Sequence, residues 1–323
     1  MPKVSIAMTT YNGENFVEKQ LDSLLKQTRP ADEVVIVDDC STDGTASLVR
    51  KFIVNNGLSN WHFSVNKKNV GYKRNFYNAI SKTKGDIIFL SDQDDMWCEE
   101  KLEVMTEIFE KNKDVKALNS SFEFIDENDN KFEVSQLKNK SNNNIIREPI
   151  DSGELKNISV LTMCNYNISP GCTMALTKEI KEIYLSNTTC NMVHDWEINF
   201  IASCLGGLYF INRPLIRYRI HTSNTIGLDD ITGKTYDMNK GKYEVRLKKA
   251  ERMYDYIQCL KVYNHLFNSS IIQRQVDFVT KRKEALEKKS ILKILSLYKY
   301  YDNYKKSVTF KGRVADIVCL IKR

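Results

Sequence analysis

Long hydrophobic runs are missing from this chain. Nowhere do about 18 apolar residues follow one another, so no transmembrane helix is predicted, and the opening MPKVSIAMTTYNG turns polar too soon for a signal peptide. The eight cysteines (40, 98, 164, 172, 190, 204, 259 and 319) include no C-x-x-C pair. Without an export signal they read as reduced thiols, with neither a disulfide framework nor a structural zinc site implied. Cys190 and His194 stand four apart, but no second pair of ligands accompanies them, and packing is the better reading. Neither G-x-G-x-x-G nor G-x-x-x-x-G-K-[ST] follows the first apolar run, which removes the anchors of dinucleotide-binding and P-loop readings. No internal repeat is visible. What these absences leave is a globular, cytoplasmic chain of 323 residues, soluble or peripheral on the inner face of the plasma membrane.

The net charge of +7 is unevenly placed. Residues 281–323 carry 13 Lys and Arg against 4 Asp and Glu, a net +9, so residues 1–280 carry about −2. The basic tail therefore expects an anionic surface, and no nucleic-acid partner is expected. Its segment SILKILSLYKYYDNYKKSV interleaves Ile291, Leu292, Ile294, Leu295 and Leu297 with Lys and Tyr, as an interfacial helix would. Packing on the rest of the chain, or against a second subunit of a homo-oligomer, is an equal alternative.

What is present is alternation. KVSIAMTT, EVVIVDD, WHFSVN, DIIFLSDQDD and DVKALNSSFEFID read as strands. The segments between them repeat apolar residues at helical spacing, as in Val17, Leu21, Leu24 and Leu25. This β-α-β rhythm predicts an α/β fold with a mostly parallel sheet, helices on both faces and right-handed crossovers. Residues 126–158 are polar and Asn-rich and read as an excursion or mobile loop. GCTMALTKEIKEIYL predicts a strand and a helix, HDWEINFIASCLGG a helix, and LYFINRPLIRYRIH strands on either side of Pro214. After GLDDITGKTYDMNKG the pattern is helical to the end, which puts a boundary near residue 235.

Ligands of such sheets bind beyond the carboxyl ends of the strands, where TTYNG, DDCSTDG and SDQDD all fall. In FLSDQDDMWCEEKL, Asp92, Asp94 and Asp95 crowd three like charges behind a buried run. Such crowding is costly unless a cation compensates it; the alternative is a solvated turn at a helix N-terminus.

Taken in order, VSIAMTTYNGENFVEKQLDSLLKQT, VVIVDDCSTDGT, KGDIIFLSDQDDMW, HDWEINFIAS and YRIHTSNTIG resemble an inverting family 2 glycosyltransferase of the GT-A fold. The resemblance spans roughly residues 3–228 and is closest to the bacterial branch that builds capsule, O-antigen and rhamnose-containing polysaccharides. It implies a catalytic domain over 1–235, with a nucleotide-sugar half (1–120) and an acceptor half (121–235), followed by a basic helical extension (236–323). The donor would be a nucleoside-diphosphate sugar, UDP- or dTDP-linked, and the acceptor a lipid-linked saccharide or an oligosaccharide.

The resemblance also implies roles for single residues. Asp39, beside Asp38, would read the base, with Thr9 and Tyr11 along the nucleoside and Lys73 and Asn75 near the nucleotide. The D-x-D pattern falls on Asp92 and Asp94, which on an extended segment would point the same way, Asp92 to the ribose and Asp94 to a divalent metal. His221 would complete the metal site and favour Mn²⁺ over Mg²⁺. Asp195 would be the general base, which inversion by single displacement requires, with Gly171 and Trp196 on the acceptor side. Glu197 departs from the family pattern, where an apolar residue is frequent. Two other functions compete. A catalytically silent nucleotide-sugar binder would be favoured by loss of Asp94 or Asp195, and both are present. A sugar nucleotidyltransferase would call for a Gly-rich basic loop where TTYNGENF has one glycine and no Lys or Arg.

Overall fold

The computed structural model describes residues 1–143, 145–221, 243–263, 266–267 and 270–321. They fall into two compact units: Met1–Ile158 with Ile168–Thr232, and Ser159–Asn167 with Gly233–Arg323. The boundary expected near residue 235 lies outside the described residues.

The first unit is built on a ten-stranded sheet. Four parallel strands form one half: β1 (Val4–Thr10), β2 (Glu33–Asp38), β3 (Trp61–Val65) and β4 (Ile87–Ser91). Between them run α1 (Val17–Leu25), α2 (Thr45–Asn55) and α3 (Tyr72–Lys82). Every residue of β1, β2 and β4 is buried, which is why these strands read as continuous apolar runs rather than alternating ones. The helices bury one stripe each, as α1 does with Val17, Leu21 and Leu24. The strand order β3-β2-β1-β4 reverses direction between β1 and β4, the place where such sheets open a crevice.

The other half continues with β5 (Met96–Trp97), α4 (Lys101–Lys111), β6 (Ala117–Ile125), β7 (Lys131–Phe132), β8 (Leu155–Asn157), β9 (Met174–Thr177) and β10 (Leu208–Arg219). β9 is inserted antiparallel between β4 and β6, whereas β6 and β10 form a long parallel pair. Pro214 does not divide β10 as the sequence predicts. One 12-residue strand passes through it, with register shifts on either side where the missing proline N–H breaks the ladder. The Asn-rich excursion contributes β7 and β8, which pair with β6 and β10.

The second unit is helical. It takes in the short α5 (Val160–Met163) from mid-chain. In the first unit α6 (Lys178–Asn187) and α7 (His194–Cys204) follow; then, in the second, α8 (Tyr243–Leu260), α9 (Ser270–Glu287), α10 (Ile291–Ser296), α11 (Tyr301–Ser307) and α12 (Phe310–Ile321). The single interfacial helix expected over residues 290–308 is instead α10, a 3₁₀ turn (Leu297–Tyr300) and α11, with Ile294 and Leu297 buried. Among the described residues no helix is long and apolar enough to cross a membrane.

Candidate active site

The polar turns behind β1, β2 and β4 meet around a cleft of about 630 Å³, entirely within the first unit. Thr9, Tyr11, Asp39, Asn75, Asp92 and Asp94 line it. Gly171, Asp195 and His221 reach the same cleft from the second half of the sheet. Lys73 and Trp196 are not in its wall, and the Lys73 ammonium donates to the Asn191 carbonyl at 2.7 Å.

Asp39 is buried, with its carboxylate held by the loop ahead of α3. Its Oδ1 accepts from Asn66 Nδ2 (2.8 Å) and the Val70 N–H (2.9 Å), and its Oδ2 from the Gly71 N–H (2.8 Å). Asn75 braces this loop: its Oδ1 accepts from Asn66 and its Nδ2 donates to the Val37 carbonyl, both at 2.9 Å. Both ends of the Asn75 amide are thus used within the protein. Asp38 is likewise a brace, accepting from the Thr10 hydroxyl (2.7 Å) and from the N–H and hydroxyl of Ser41 (2.8 and 2.6 Å). Gln93 clamps the main chain of Tyr11, accepting its N–H at 2.6 Å and donating to its carbonyl at 2.8 Å. A Cβ at residue 13 would lie 2.3 Å from the clamping amide, so the clamp requires Gly13.

Behind β4 the chain bends at Gln93 and Asp94, so the aspartates occupy a bend rather than an extended segment. Nor does Asp95 cap a helix, because β5 pairs with β10 first and α4 begins only at Lys101. Asp94 Oδ2 lies 3.0 Å from His221 Nε2, and the His221 ring sits 4.7 Å from that of Phe16. The fully buried Arg219 fixes the bend from β10. Its main-chain N–H donates to Asp95 Oδ1 (3.0 Å), its Nε to the Asp94 carbonyl (2.6 Å) and its Nη1 to the Asp126 carbonyl (2.9 Å).

The electrostatics of the bend are strained. Burial, and then the charges of Asp94, Asp95 and Asp195, push the Asp92 carboxyl well above the usual range. Burial and then Asp94 raise Asp95 to about 7. While the Arg219 guanidinium is ion-paired with Asp129 at 2.6 Å, Lys101 is buried over the Trp97 ring, donates to the Cys172 carbonyl at 2.7 Å, and is itself lowered by burial to about 7. It offsets little of the acid charge. Ligand atoms of Asp92, Asp95 and Cys172 lie within 4.8 Å of one another. An acid cluster short of positive charge fits a divalent cation. The donors facing the cleft are the carboxylates of Asp92 and Asp94 and the His221 imidazole, a set suited to Mn²⁺ or Mg²⁺. The Cys172 thiol beneath is pushed well above its ordinary value, first by burial, and suits a hard ion poorly.

Opposite the acids, α7 begins at His194, with Val193 at the cap, so Asp195 sits in the first turn rather than capping it. There the helix dipole favours the carboxylate, whose Oδ1 accepts the Trp196 N–H at 2.6 Å. The His194 ring stacks on Phe76 with centroids 3.8 Å apart, and burial lowers it to about 3, so it is neutral. Gly171 opens a 3₁₀ turn against this helix start. A Cβ there would lie 2.7 Å from His194 Nε2, so only glycine lets the loop close. Glu197 is buried and accepts the Thr188 hydroxyl at 2.7 Å, outside the cleft wall. Arg219, Gln93, Asn66 and Lys101 were not legible as site residues, because each acts through main chain or through another side chain and carries no motif.

The profile described as glycosyl transferase family 2 matches residues 5–165. The dTDP-rhamnosyl transferase RfbG of Shigella flexneri is 27% identical over 284 residues, 83% of this chain and 88% of the relative. An uncharacterized glycosyltransferase of Rickettsia typhi is 27% identical over 227 residues, 69% of this chain, which spans 66% of that relative's length. Staphylococcus aureus TarS 1–349, solved in complex with UDP, aligns at TM-score 0.55 and 18% identity, covering 95% of this chain and 93% of that solved 1–349 chain. The mannosyltransferase PcManGT of Pyrobaculum calidifontis, solved with GDP-Man and Mn²⁺, aligns at TM-score 0.53 and 15% identity, covering 99% and 87%. At such identities the two structures speak for the fold, which is GT-A. Family profile, relatives and fold agree, and the chain belongs to glycosyltransferase family 2.

Proposed function

We propose that the cleft moves a sugar from a UDP- or dTDP-linked donor to a lipid-linked or oligosaccharide acceptor in cell-surface polysaccharide synthesis. The observation that carries this is the meeting of Asp39, Asp92, Asp94, His221 and Asp195 around one cleft at the strand-order reversal. Residues 1–235 supply the catalytic domain, 1–120 for the donor and 121–235 for the acceptor, and 236–323 form an extension.

Asp39 Oδ2 accepts one hydrogen bond from Gly71 and keeps a lone pair for the imide N–H of uracil or thymine. This fits the relative that uses a dTDP sugar and the TarS complex with UDP. Thr9 and Tyr11 lie along the nucleoside, and Asp92 takes the ribose. Asp94 and His221 would hold a divalent ion, with the imidazole favouring Mn²⁺; when bound, that ion would neutralise charge on the departing nucleoside diphosphate. Asp195 takes the proton of the acceptor hydroxyl as its oxygen attacks the anomeric carbon from the face opposite the leaving group. The new C–O bond forms as the bond to the diphosphate oxygen breaks. Its electron pair leaves with the nucleoside diphosphate, and the anomeric configuration inverts. Gly171 borders the acceptor end of the cleft, with Trp196 following the base.

Nucleoside diphosphate release, measured across a panel of sugar nucleotides with added Mn²⁺, Mg²⁺ or chelator, tests the reading. Release from a uridine or thymidine donor that stops in chelator is expected. Full activity in excess chelator overturns the metal role of Asp94 and His221, and release from guanosine donors alone overturns the base preference given to Asp39.

A further inference from the structure

The last helix of the second unit is folded inside out. On α12 the buried positions are Gly312, Arg313, Asp316 and Cys319. Asp316 is fully buried in a polar hub with Arg246, Arg282 and the Tyr304 hydroxyl. The opposite side of the same helix exposes Phe310 (72%), Val314 (45%), Val318 (38%) and Ile321 (62%). At 3.6 residues per turn these four fall within about 80° of arc, a continuous apolar stripe turned outward. α10 packs against α12 and also exposes apolar side chains, Leu292 at 81% and Leu295 at 47%. A water-facing helix would place these residues the other way round, so the stripe is made to be covered.

The charge of the segment that leads into and carries the stripe identifies the cover. Lys299, Lys305, Lys306 and Lys311 are exposed against a single exposed acid, Asp302, between residues 299 and 321. A two-fold pairing of stripes would bring like charges of two copies together. An anionic bilayer accepts both features at once: apolar side chains enter the acyl boundary while the ammonium groups stay among the headgroups. We infer that α12, with α10 beside it, lies flat on a membrane surface rich in anionic lipid. This binding is independent of the sugar-transfer reading and concerns residues outside the cleft.

The test is sedimentation of the full chain with phosphatidylglycerol-containing and pure phosphatidylcholine vesicles, at low and high salt. The wild type should pellet with anionic vesicles at low salt, and at least about tenfold less with phosphatidylcholine or in high salt. Phe310→Ser/Val314→Ser/Val318→Ser should lose partitioning by about tenfold or more. Lys305→Ser/Lys306→Ser/Lys311→Ser should lose about 10²-fold at low salt. All six positions are exposed, and an unchanged helical circular-dichroism spectrum and melting midpoint, with unchanged nucleoside diphosphate release in solution, will show that both variants fold. Wild-type protein that stays in the supernatant with anionic vesicles at low salt overturns the inference. So does an apolar variant that binds vesicles as well as wild type, or a soluble wild-type dimer that this variant dissociates and that does not bind vesicles.

Discussion

Two places in this chain bury carboxylates, and they treat them in opposite ways. In the helical unit, Asp316 receives Arg246 Nε at 2.7 Å, Arg282 Nε and Nη2 at 3.0 Å and the Tyr304 hydroxyl at 2.8 Å. Burial by itself would raise its pKa, but Arg282 and Arg246 outweigh it and hold the carboxyl below the ordinary range. At the cleft, Asp92 is raised first by burial and then by Asp94, Asp95 and Asp195, and Asp95 first by burial and then by Asp94. Depth in the protein does not separate the two sites. What separates them is whether the chain supplies its own counter-charge: a satisfied acid is part of the fold, and an unsatisfied cluster is built for something that arrives.

The largest expected effect lies in the chemistry. Asp195→Asn keeps the shape and the hydrogen bond to Trp196 but cannot take a proton, so turnover should fall by about 10²–10⁴-fold. Donor affinity, measured on the same preparation, should stay near wild type; a variant that cannot bind donor would make the role structural. Next comes Asp316→Asn, which leaves two buried guanidiniums without a full counter-charge and should destabilise the fold by about 3–5 kcal/mol in denaturant melts. Its specific activity per folded molecule should be retained. Asp95→Asn should run the other way, with metal-free stability equal to or above wild type, because it removes one of the crowded charges. If the two melts shift in the same direction, the contrast between the sites fails. Smaller again, Asp94→Asn should weaken metal-dependent donor binding by more than about tenfold in titrations with Mn²⁺ and leave metal-free binding little changed.

The last effect is a pH slope from His194. Its folded pKa of about 3 lies below the unfolded value near 6.5, so the unfolded chain takes up the proton first. The stability it contributes is complete above about pH 6.5 and is lost as pH falls toward 3, by at most about 1.4 kcal/mol per unit. Asp95 slopes the opposite way, and Asp316 acts only below its unfolded value near 3.9. The quantity to measure is therefore the difference in unfolding free energy between wild type and His194→Gln, in which the other groups cancel. That difference should shrink from pH 6.5 to 4.5, and a flat difference would show that His194 is not held neutral by burial.

Much of the first unit was legible because its signals are local. Fully buried parallel strands are continuous apolar runs, crossover helices repeat at 3.6, and polar turns at the carboxyl ends of β1, β2 and β4 mark where a ligand can sit. From these the α/β class and the clustering of TTYNG, DDCSTDG and SDQDD followed, and the resemblance added the pairing of Asp94 with His221 and the position of Asp195. The rest depended on partners far away along the chain. Asn75 turned out to hold Asn66 and Val37, and the bend of the acid cluster is set by Arg219 from 124 residues downstream of Asp95. The passage of β10 through Pro214 depends on β6 accepting shifts in register. The outward stripe of α12 accompanies the inward turn of Asp316 onto Arg246 and Arg282. Periodicity tells which residues share a face of a helix. Which face turns inward is decided by what stands opposite, and that is set by tertiary contact alone.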